Sequence, residues 1–361
     1  MSASLKRECG MLLIVSIILL SILALLPDAD VDHDAGYTAS ELSIRETVDG
    51  SVISTSHVNP DGVITDAIDM GYATVCRMQD DDDRVVEERY LDANGYPVAR
   101  YENFHGLSYE YDETSTMITY LDVEGNPIIR SDGYSTIVRT QVDGRAYDDF
   151  FYDLNGQQVQ CSGGYYGLRR GYNAEGQNIS LAFLDKDGHT VRTSSGYAIK
   201  TYQRDSEGTV IGERYFDTEG KPVKSSLGQY GELYQRNEQG YISQITYLDL
   251  DGNPAPTNAG YTILKCTYHR DGTADTDMYF NANGNPKALS KGQYGIKRSG
   301  KANILLDRNG NVMPCVDNLL NGFPCIVVVL GCVVCLLMIA LPKSLSVVRT
   351  VVYIAFILYE N

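Results

Sequence analysis

The chain has 361 residues, and its 34 glycines and 27 tyrosines, beside 8 phenylalanines and 0 tryptophans, favour many turns joining short aromatic strands over a helical globule. Its formal net charge of -17 argues against nucleic acid or anionic lipid as a partner, because a phosphate-binding face needs clustered Lys and Arg. So acidic a chain suits a solvated surface.

The first predicted element is an apolar segment at residues 11–26, which reads MLLIVSIILLSILALL and follows Lys6 and Arg7. This is the layout of a signal peptide or a signal anchor, and both export the chain that follows. No clear small-x-small cleavage site comes after it, so the sequence leaves cleavage and retention open. We assign residues 1–27 to a cytoplasmic tail and signal anchor, or to a signal peptide.

An internal repeat with a period of about 32 residues occupies positions 28–318, and such periods are typical of stacked repeat architectures. Turns of the form Asp-x-Asp/Asn/Glu-Gly recur at this interval, and a second glycine precedes the turn glycine in most units, as Gly208 precedes Gly220. The turn glycines are predicted to be structural: Gly95, Gly125, Gly156, Gly188, Gly220, Gly252 and Gly284.

A third set of glycines opens the units, usually next to a tyrosine, and predicts about nine units. Irregular units at the two ends are what a repeat array needs to cap its core. These opening glycines are Gly36, Gly71, Gly106, Gly133, Gly164, Gly196, Gly228, Gly260 and Gly292.

Each unit is predicted to form a β-hairpin followed by a short proline-containing return. In the turn Asp205-Ser206-Glu207-Gly208, the Asp carboxylate can cap a backbone N–H, and Gly takes the position that needs φ above zero. One hairpin cannot bury its aromatic surface alone, so neighbouring hairpins should stack. The sequence therefore predicts an all-β repeat array, a solenoid or superhelix of stacked hairpins, with transmembrane helices at both ends. A closed propeller is the alternative.

The best-formed unit, residues 196–227, reads GYAIKTYQRDSEGTVIGERYFDTEGKPVKSSL. In its turn and aromatic spacing it resembles the YD-type and cell-wall-binding aromatic repeats of bacterial surface proteins. The chain departs from the cell-wall-binding repeats in its longer period and its lack of tryptophan. The resemblance implies a protein displayed on the bacterial surface.

The recurring tyrosines supply the candidate ligand-facing residues. Most tyrosines are expected to form the shared core of the array, although aromatic faces also make platforms for sugar rings. The candidates for one exposed face are the tyrosines beside the opening glycines: Tyr197, Tyr230, Tyr261 and Tyr294.

The acidic turns invite interpretation as calcium sites, because EF-type loops begin with similar residues. They lack the distant bidentate Glu of those loops, and a plain turn needs the same residues, so no metal site is predicted. The five histidines are scattered, with no HExxH motif, GxSxG elbow or phosphate-binding glycine loop nearby. We therefore expect no catalytic residue, no cofactor and no enzyme activity.

A second apolar run, at positions 323–341, contains no charged side chain. At a rise of about 1.5 Å per residue its length matches the ~30 Å hydrocarbon core of a bilayer. Lys343 and Arg349 follow it, so the positive-inside rule places them in the cytoplasm. We predict a transmembrane helix in residues 319–342, then a basic cytoplasmic loop and the start of a further helix in residues 343–361.

The stretch LPKSLSVVRTVVYIAFILY, residues 341–359, resembles the entry to the VanZ-like membrane domain of Gram-positive bacteria. In that domain a basic loop leads into a tyrosine-containing apolar helix. The positions that characterise the family lie beyond Asn361, so the resemblance assigns no functional residue. The sequence leaves open whether the C-terminus is natural or truncated.

Two functional hypotheses follow. In the first, the protein is a membrane-anchored, surface-displayed array that binds cell wall, glycan or another protein through a repeated β surface, with weak contacts summed over many units. In the second, the array is a spacer or sensor ectodomain for a C-terminal VanZ-like membrane domain. Both place the repeats on the extracellular side of the cell membrane, without a nucleic-acid partner.

Overall fold

The computed structural model describes residues 35–100, 103–299 and 302–313. These residues form eighteen antiparallel β-strands in one open sheet, and their only helical element is a 3₁₀ turn at Ala39–Glu41. No helix in this part of the chain is long and apolar enough to cross a membrane.

The predicted membrane segments, residues 11–26 and 323–341, lie outside the described residues. The same holds for residues 341–359, which carry the VanZ-like resemblance.

The strands form nine hairpins in chain order. They are β1 (Ser43–Asp49) with β2 (Val52–Val58), β3 (Thr74–Gln79) with β4 (Val85–Leu91), β5 (Gly106–Tyr111) with β6 (Ser115–Leu121), β7 (Thr136–Val142) with β8 (Arg145–Tyr152), β9 (Gly167–Tyr172) with β10 (Asn178–Leu184), β11 (Ile199–Arg204) with β12 (Val210–Phe216), β13 (Gly231–Arg236) with β14 (Ile242–Leu248), β15 (Ile263–Tyr268) with β16 (Ala274–Phe280), and β17 (Gly295–Ser299) with β18 (Ala302–Leu306).

The second strand of each hairpin also pairs antiparallel with the first strand of the next hairpin, so spatial order follows chain order. Antiparallel neighbours need only short connections, which the repeat unit supplies. Among the described residues β18 makes no pairing with β1, and the sheet is open. The all-β repeat array is thus confirmed, and the closed alternative is wrong for this part of the chain.

The hairpin turns hold an acidic side chain against the backbone. In hairpin 6, Asp205 Oδ1 accepts hydrogen bonds from the amides of Glu207 at 3.0 Å and Thr209 at 2.9 Å, and Gly208 has φ 87°. The register shifts by one residue at the end of β11, as in a hairpin closed by a G1 bulge.

The returns between hairpins tie the units together at one edge of the sheet. In hairpin 6, Pro222 forms a single bridge with Phe216. The opening turns then hydrogen-bond one another from unit to unit. The amides of Ser162, Ser194, Ser226 and Asn258 donate to the carbonyls of Asp132, Gly163, Ser195 and Leu227, at 2.9, 3.0, 2.7 and 2.8 Å.

One face of the sheet carries a continuous line of rings, which we call the aromatic row. Its members come alternately from the residue after an opening turn and from the end of a hairpin, and neighbouring centroids lie 4.4 to 6.1 Å apart. Aromatic pairs at this distance add to burial energy. The row runs through Tyr72, Tyr90, Phe104, Tyr120, Tyr134, Phe151, Tyr165, Phe183, Tyr197 and Tyr215, and a second stretch holds Tyr247, Tyr261 and Tyr279.

The opposite face shows a second period of two hairpins. Where one hairpin pairs with the next, the directly opposed residues are of two alternating kinds. In the first kind a large residue faces a glycine, and in the second kind both residues have a side chain. The first kind comprises Arg89 with Gly106, Phe150 with Gly167, Arg214 with Gly231 and Met278 with Gly295. The second kind comprises Thr119 with Thr136, Ala182 with Ile199 and Thr246 with Ile263.

The spacing predicted Gly106 as an opening glycine, and this prediction is wrong. Gly106 is the first residue of β5, and a Cβ there would lie 2.5 Å from the Glu88 carbonyl oxygen. The residue of the opening turn with positive φ is Asn103, at 64°. Asparagine is among the few residues that tolerate this conformation, so it takes the place of glycine.

The sheet coils until two distant parts of it meet. The Arg270 guanidinium, at the tip of hairpin 8, donates to the Gly36 carbonyl at 3.1 Å and pairs with Glu41 at 2.6 Å. The segment holding Glu41 is in turn fixed to the loop after β2, where the Ala39 amide donates to Asp69 Oδ1 at 2.7 Å. The edge of the sheet that carries the hairpin turns thus meets the edge that carries the opening turns, as in successive turns of a superhelix.

Candidate functional site

A pocket of about 360 Å³ opens on the aromatic face between hairpins 4 and 5. Its walls include the rings of Tyr134, Phe151 and Tyr165, and its polar groups include Arg139 and Arg170. Small-molecule sites in proteins combine an apolar wall with a few convergent polar groups in ~300–1,000 Å³. The volume lies at the lower end of that range.

Three charged side chains from three strands meet at this pocket. Arg139 on β7 donates to both carboxylate oxygens of Asp149 on β8, at 2.8 and 2.9 Å. Arg170 on β9 donates to Asp149 Oδ2 at 2.7 Å. The sheet register creates the group, because Arg139 and Asp149 are directly opposed cross-strand partners.

Burial and ion pairing act in opposite directions on Asp149, whose side chain is only 3 % exposed. Burial raises the pKa of this carboxyl, but hydrogen bonds from Arg139 and Arg170 outweigh burial and hold the pKa below its usual value. The pair raises the pKa of Arg139 in return. Asp149 and Arg139 are therefore both charged at neutral pH.

A further ion pair lies beside the pocket. Arg130 pairs with Asp132 at 3.2 Å and donates to the hydroxyls of Tyr120 at 2.7 Å and Tyr134 at 2.8 Å. Its guanidinium lies 4.4 Å from the Tyr120 ring centroid, within cation–π range. The aromatic row and the charged groups thus form one connected wall.

Tyr197 and Tyr261, two of the four predicted ligand-facing residues, belong to the aromatic row. Tyr197 stacks on Tyr215 at 4.4 Å, and Tyr261 lies 5.4 Å from Tyr247. Both are half-buried, and burial raises the pKa of each phenol. These two residues take part in the core packing.

The other two, Tyr230 and Tyr294, stand one position later in their units, and side chains alternate across an extended chain. They are half-buried, and Lys224 Nζ lies 5.8 Å from the Tyr230 ring. The four tyrosines therefore do not share one face, and the structure does not bring them together.

The seven predicted turn glycines all have positive φ, between 72° and 92°. One of these turns, at Gly188, carries Asp185, Asp187 and His189, whose potential metal-ligand atoms lie within 4.8 Å of one another. Asp185 Oδ1 accepts hydrogen bonds from the amides of Asp187 and His189, both at 2.9 Å. These are the contacts of an ordinary turn.

The charged residues of the pocket were not among the sequence candidates. The period of two hairpins was the signal that could have found them, since Asp149, Glu213 and Asp277 recur on the second strand of every second hairpin. Each has a basic partner on the aromatic face: Arg139 and Arg170 for Asp149, Lys200 for Glu213, and Arg298 for Asp277.

Glu232 interrupts this pattern. It lies directly opposite Glu213 and accepts hydrogen bonds from Gln229 Nε2 and the Tyr234 hydroxyl, both at 3.1 Å. Burial raises its pKa and outweighs the hydrogen bonds to the carboxylate, while the nearby Glu213 raises it further. Gln229, 2 % exposed, takes the place of a ring where the aromatic row breaks between Tyr215 and Tyr247.

No family model matches the chain, and no curated protein matches it. The crystal structure of TcdB2-TccC3-Cdc42 aligns with 76 % of this chain at 10 % identity and a TM-score of 0.18. That of TcdB2-TccC3-TEV aligns with 77 % at 10 % identity and the same score.

The chain spans only 18 % and 17 % of those two proteins, and at this score neither likeness carries an argument. The observed stack of aromatic β-hairpins is consistent with YD-type β repeats. No family model supports the VanZ-like resemblance.

Proposed function

We propose that the array is a binding module for glycans, held at the outer surface of the cell membrane by the apolar segments at residues 11–26 and 323–341. The pocket between hairpins 4 and 5 is its ligand site. The observation that supports this proposal most is the meeting of three aromatic rings with charged hydrogen-bonding groups around one cavity. A sugar ring presents both an apolar face and a rim of hydroxyls, and this pocket complements both.

The test is a glycan and cell-wall binding screen on the full chain in detergent micelles, with a Tyr165→Leu variant. Tyr165 lines the pocket, and the centroid of its ring lies 5.8 Å from that of Phe151. Leucine keeps an apolar side chain but removes the ring, and loss of an aromatic anchor typically weakens binding by about tenfold or more. We expect this loss for the strongest ligand of the screen.

Tyr261→Leu is the matched control, because Tyr261 also follows an opening glycine and belongs to the aromatic row, but does not line the pocket. It should keep wild-type affinity. Equal losses in both variants would show that the row as a whole, and not the pocket, binds the ligand. If the full chain binds neither glycan nor purified cell wall, the spacer or sensor role becomes the better account.

A further inference from the structure

We infer that the pocket recognises a carboxylate, so that the preferred ligand is an acidic sugar. This inference rests on the proposed function and narrows it to one class of glycan. Its basis is the arrangement of Arg139, Asp149 and Arg170, in which two guanidinium groups share one buried carboxylate.

The local charge favours an anion. Arg139 and Arg170 supply two positive charges to their shared cluster, and Asp149 supplies one negative charge. One positive charge is therefore left over, in a chain whose formal net charge is -17. A neutral ligand leaves this charge in a half-buried site, whereas a carboxylate balances it.

Arg170 also keeps one donor that no acceptor among the described residues uses. Arg139 uses Nε and Nη2 on Asp149, and Arg170 uses only Nη2. Arg170 Nη1 is buried and has no hydrogen-bond partner among the described residues, although Arg170 lines the pocket. A buried donor without an acceptor is unfavourable, and a charged oxygen is the strongest acceptor a ligand can offer it.

The rest of the wall fits a sugar that carries this group. Tyr134 and Phe151 stack at 4.4 Å, and Tyr165 stands beside them. With its carboxylate at Arg170, a sugar ring lies against these rings, and Ser162 lines the same cavity.

The same unit position four hairpins later provides a natural comparison. Arg298 on β17 pairs with Asp277 on β16 at 2.6 Å, as Arg170 pairs with Asp149. Cys266 stands there in the place of Arg139, so one arginine meets one aspartate and the charges balance. The surplus positive charge therefore belongs to hairpins 4 and 5.

The test compares trigalacturonic acid with its methyl ester by isothermal titration calorimetry on the full chain in detergent micelles. The two probes share ring shape and hydroxyls and differ in charge. We expect the acid to bind at least tenfold more tightly than the ester, with an affinity that falls as salt is added. Arg170→Met should abolish the preference, and Arg298→Met should keep it.

Equal affinity for acid and ester overturns the inference and leaves the proposed function standing. If neither probe binds while other glycans do, the acidic-sugar assignment is also wrong. If no glycan binds at all, the proposed function fails with it. Should Arg170→Met unfold, the salt dependence of the wild-type chain decides, because a charge-independent site predicts the same salt response for both probes.

Discussion

Glu232 places a carboxyl group at a position where most other units have an apolar residue. Leu168, Leu264 and Ile296 occupy the corresponding positions in β9, β15 and β17. The pattern of the repeat therefore predicts an apolar side chain, and only the structure shows the hydrogen bonds that hold the carboxyl in place. A local rule broken inside an otherwise regular array requires compensating contacts, which Gln229 and Tyr234 supply.

Replacing Glu232 by Gln should stabilise the protein in a pH-dependent way. The folded pKa of Glu232 lies above its unfolded value near 4.5, so its stabilising contribution is present below that pH and is lost as pH rises through the folded pKa. Gln stays neutral at every pH. Thermal unfolding at about pH 4 and pH 8 should show the variant gaining in Tm over wild type only at the higher pH.

The exposed Glu219→Gln is the control, and it should show no such gain. A Tm difference between Glu232→Gln and wild type that does not change with pH would contradict the assignment of a raised pKa.

The charged pocket residues mark the limit of prediction at this scale. The sequence identified tyrosine as the main core residue because of its composition and period. It could not bring Asp149 to Arg139 and Arg170, which lie 10 and 21 residues away. Their meeting depends on the strand register, and a shift of one residue would send each side chain to the other face.

At the scale of elements, two hairpins form the true structural repeat. The period of one hairpin, about 32 residues, followed from the turn glycines and was sufficient to predict the hairpins. The longer period depends on which residues are opposed across neighbouring strands, such as Arg214 with Gly231 and Thr246 with Ile263. Aligning the sequence one unit at a time hides the period of two hairpins. The turns repeat in every unit, whereas each kind of opposed pair repeats only in every second unit.

Gly231→Ala should therefore destabilise the fold. A Cβ at Gly231 would lie 2.4 Å from the Glu213 carbonyl oxygen and 2.6 Å from Arg214 Cδ. Overpacking of this kind costs about 1–3 kcal/mol in the free energy of unfolding, which urea denaturation can measure.

The control lies at the same position of an alternate unit. Thr136 already carries a Cβ opposite Thr119, so Thr136→Ala should cost about 1 kcal/mol or less, through loss of the 3.1 Å hydroxyl contact. Similar costs at Gly231 and Thr136 would argue against the period of two hairpins.

At the scale of the whole sheet, which the described residues form, the strands coil because antiparallel neighbours twist in one direction. The sequence predicted a solenoid or superhelix from the need to bury a repeated face. It could not predict which hairpins meet after one turn, since the seam joins Arg270 to Glu41, 229 residues away. The seam holds the residues before β1 against hairpin 8 through an exposed ion pair.

Arg270→Ala should loosen this seam without unfolding the array. Exposed ion pairs contribute little to global stability, so Tm should change only slightly. The amides of Glu41 and Leu42 should exchange faster with deuterium, while those of β11 and β12 keep their wild-type protection. Unchanged exchange at these two amides would show that the seam is held by other contacts.

The most direct test of the proposed acidic-sugar site is a crystal structure of the full chain with trigalacturonic acid bound. The proposal predicts a sugar ring against the Tyr165 ring and a carboxylate oxygen within hydrogen-bond distance of the Arg170 guanidinium. A sugar bound to another surface, or an empty pocket at a concentration that saturates binding in solution, would contradict it.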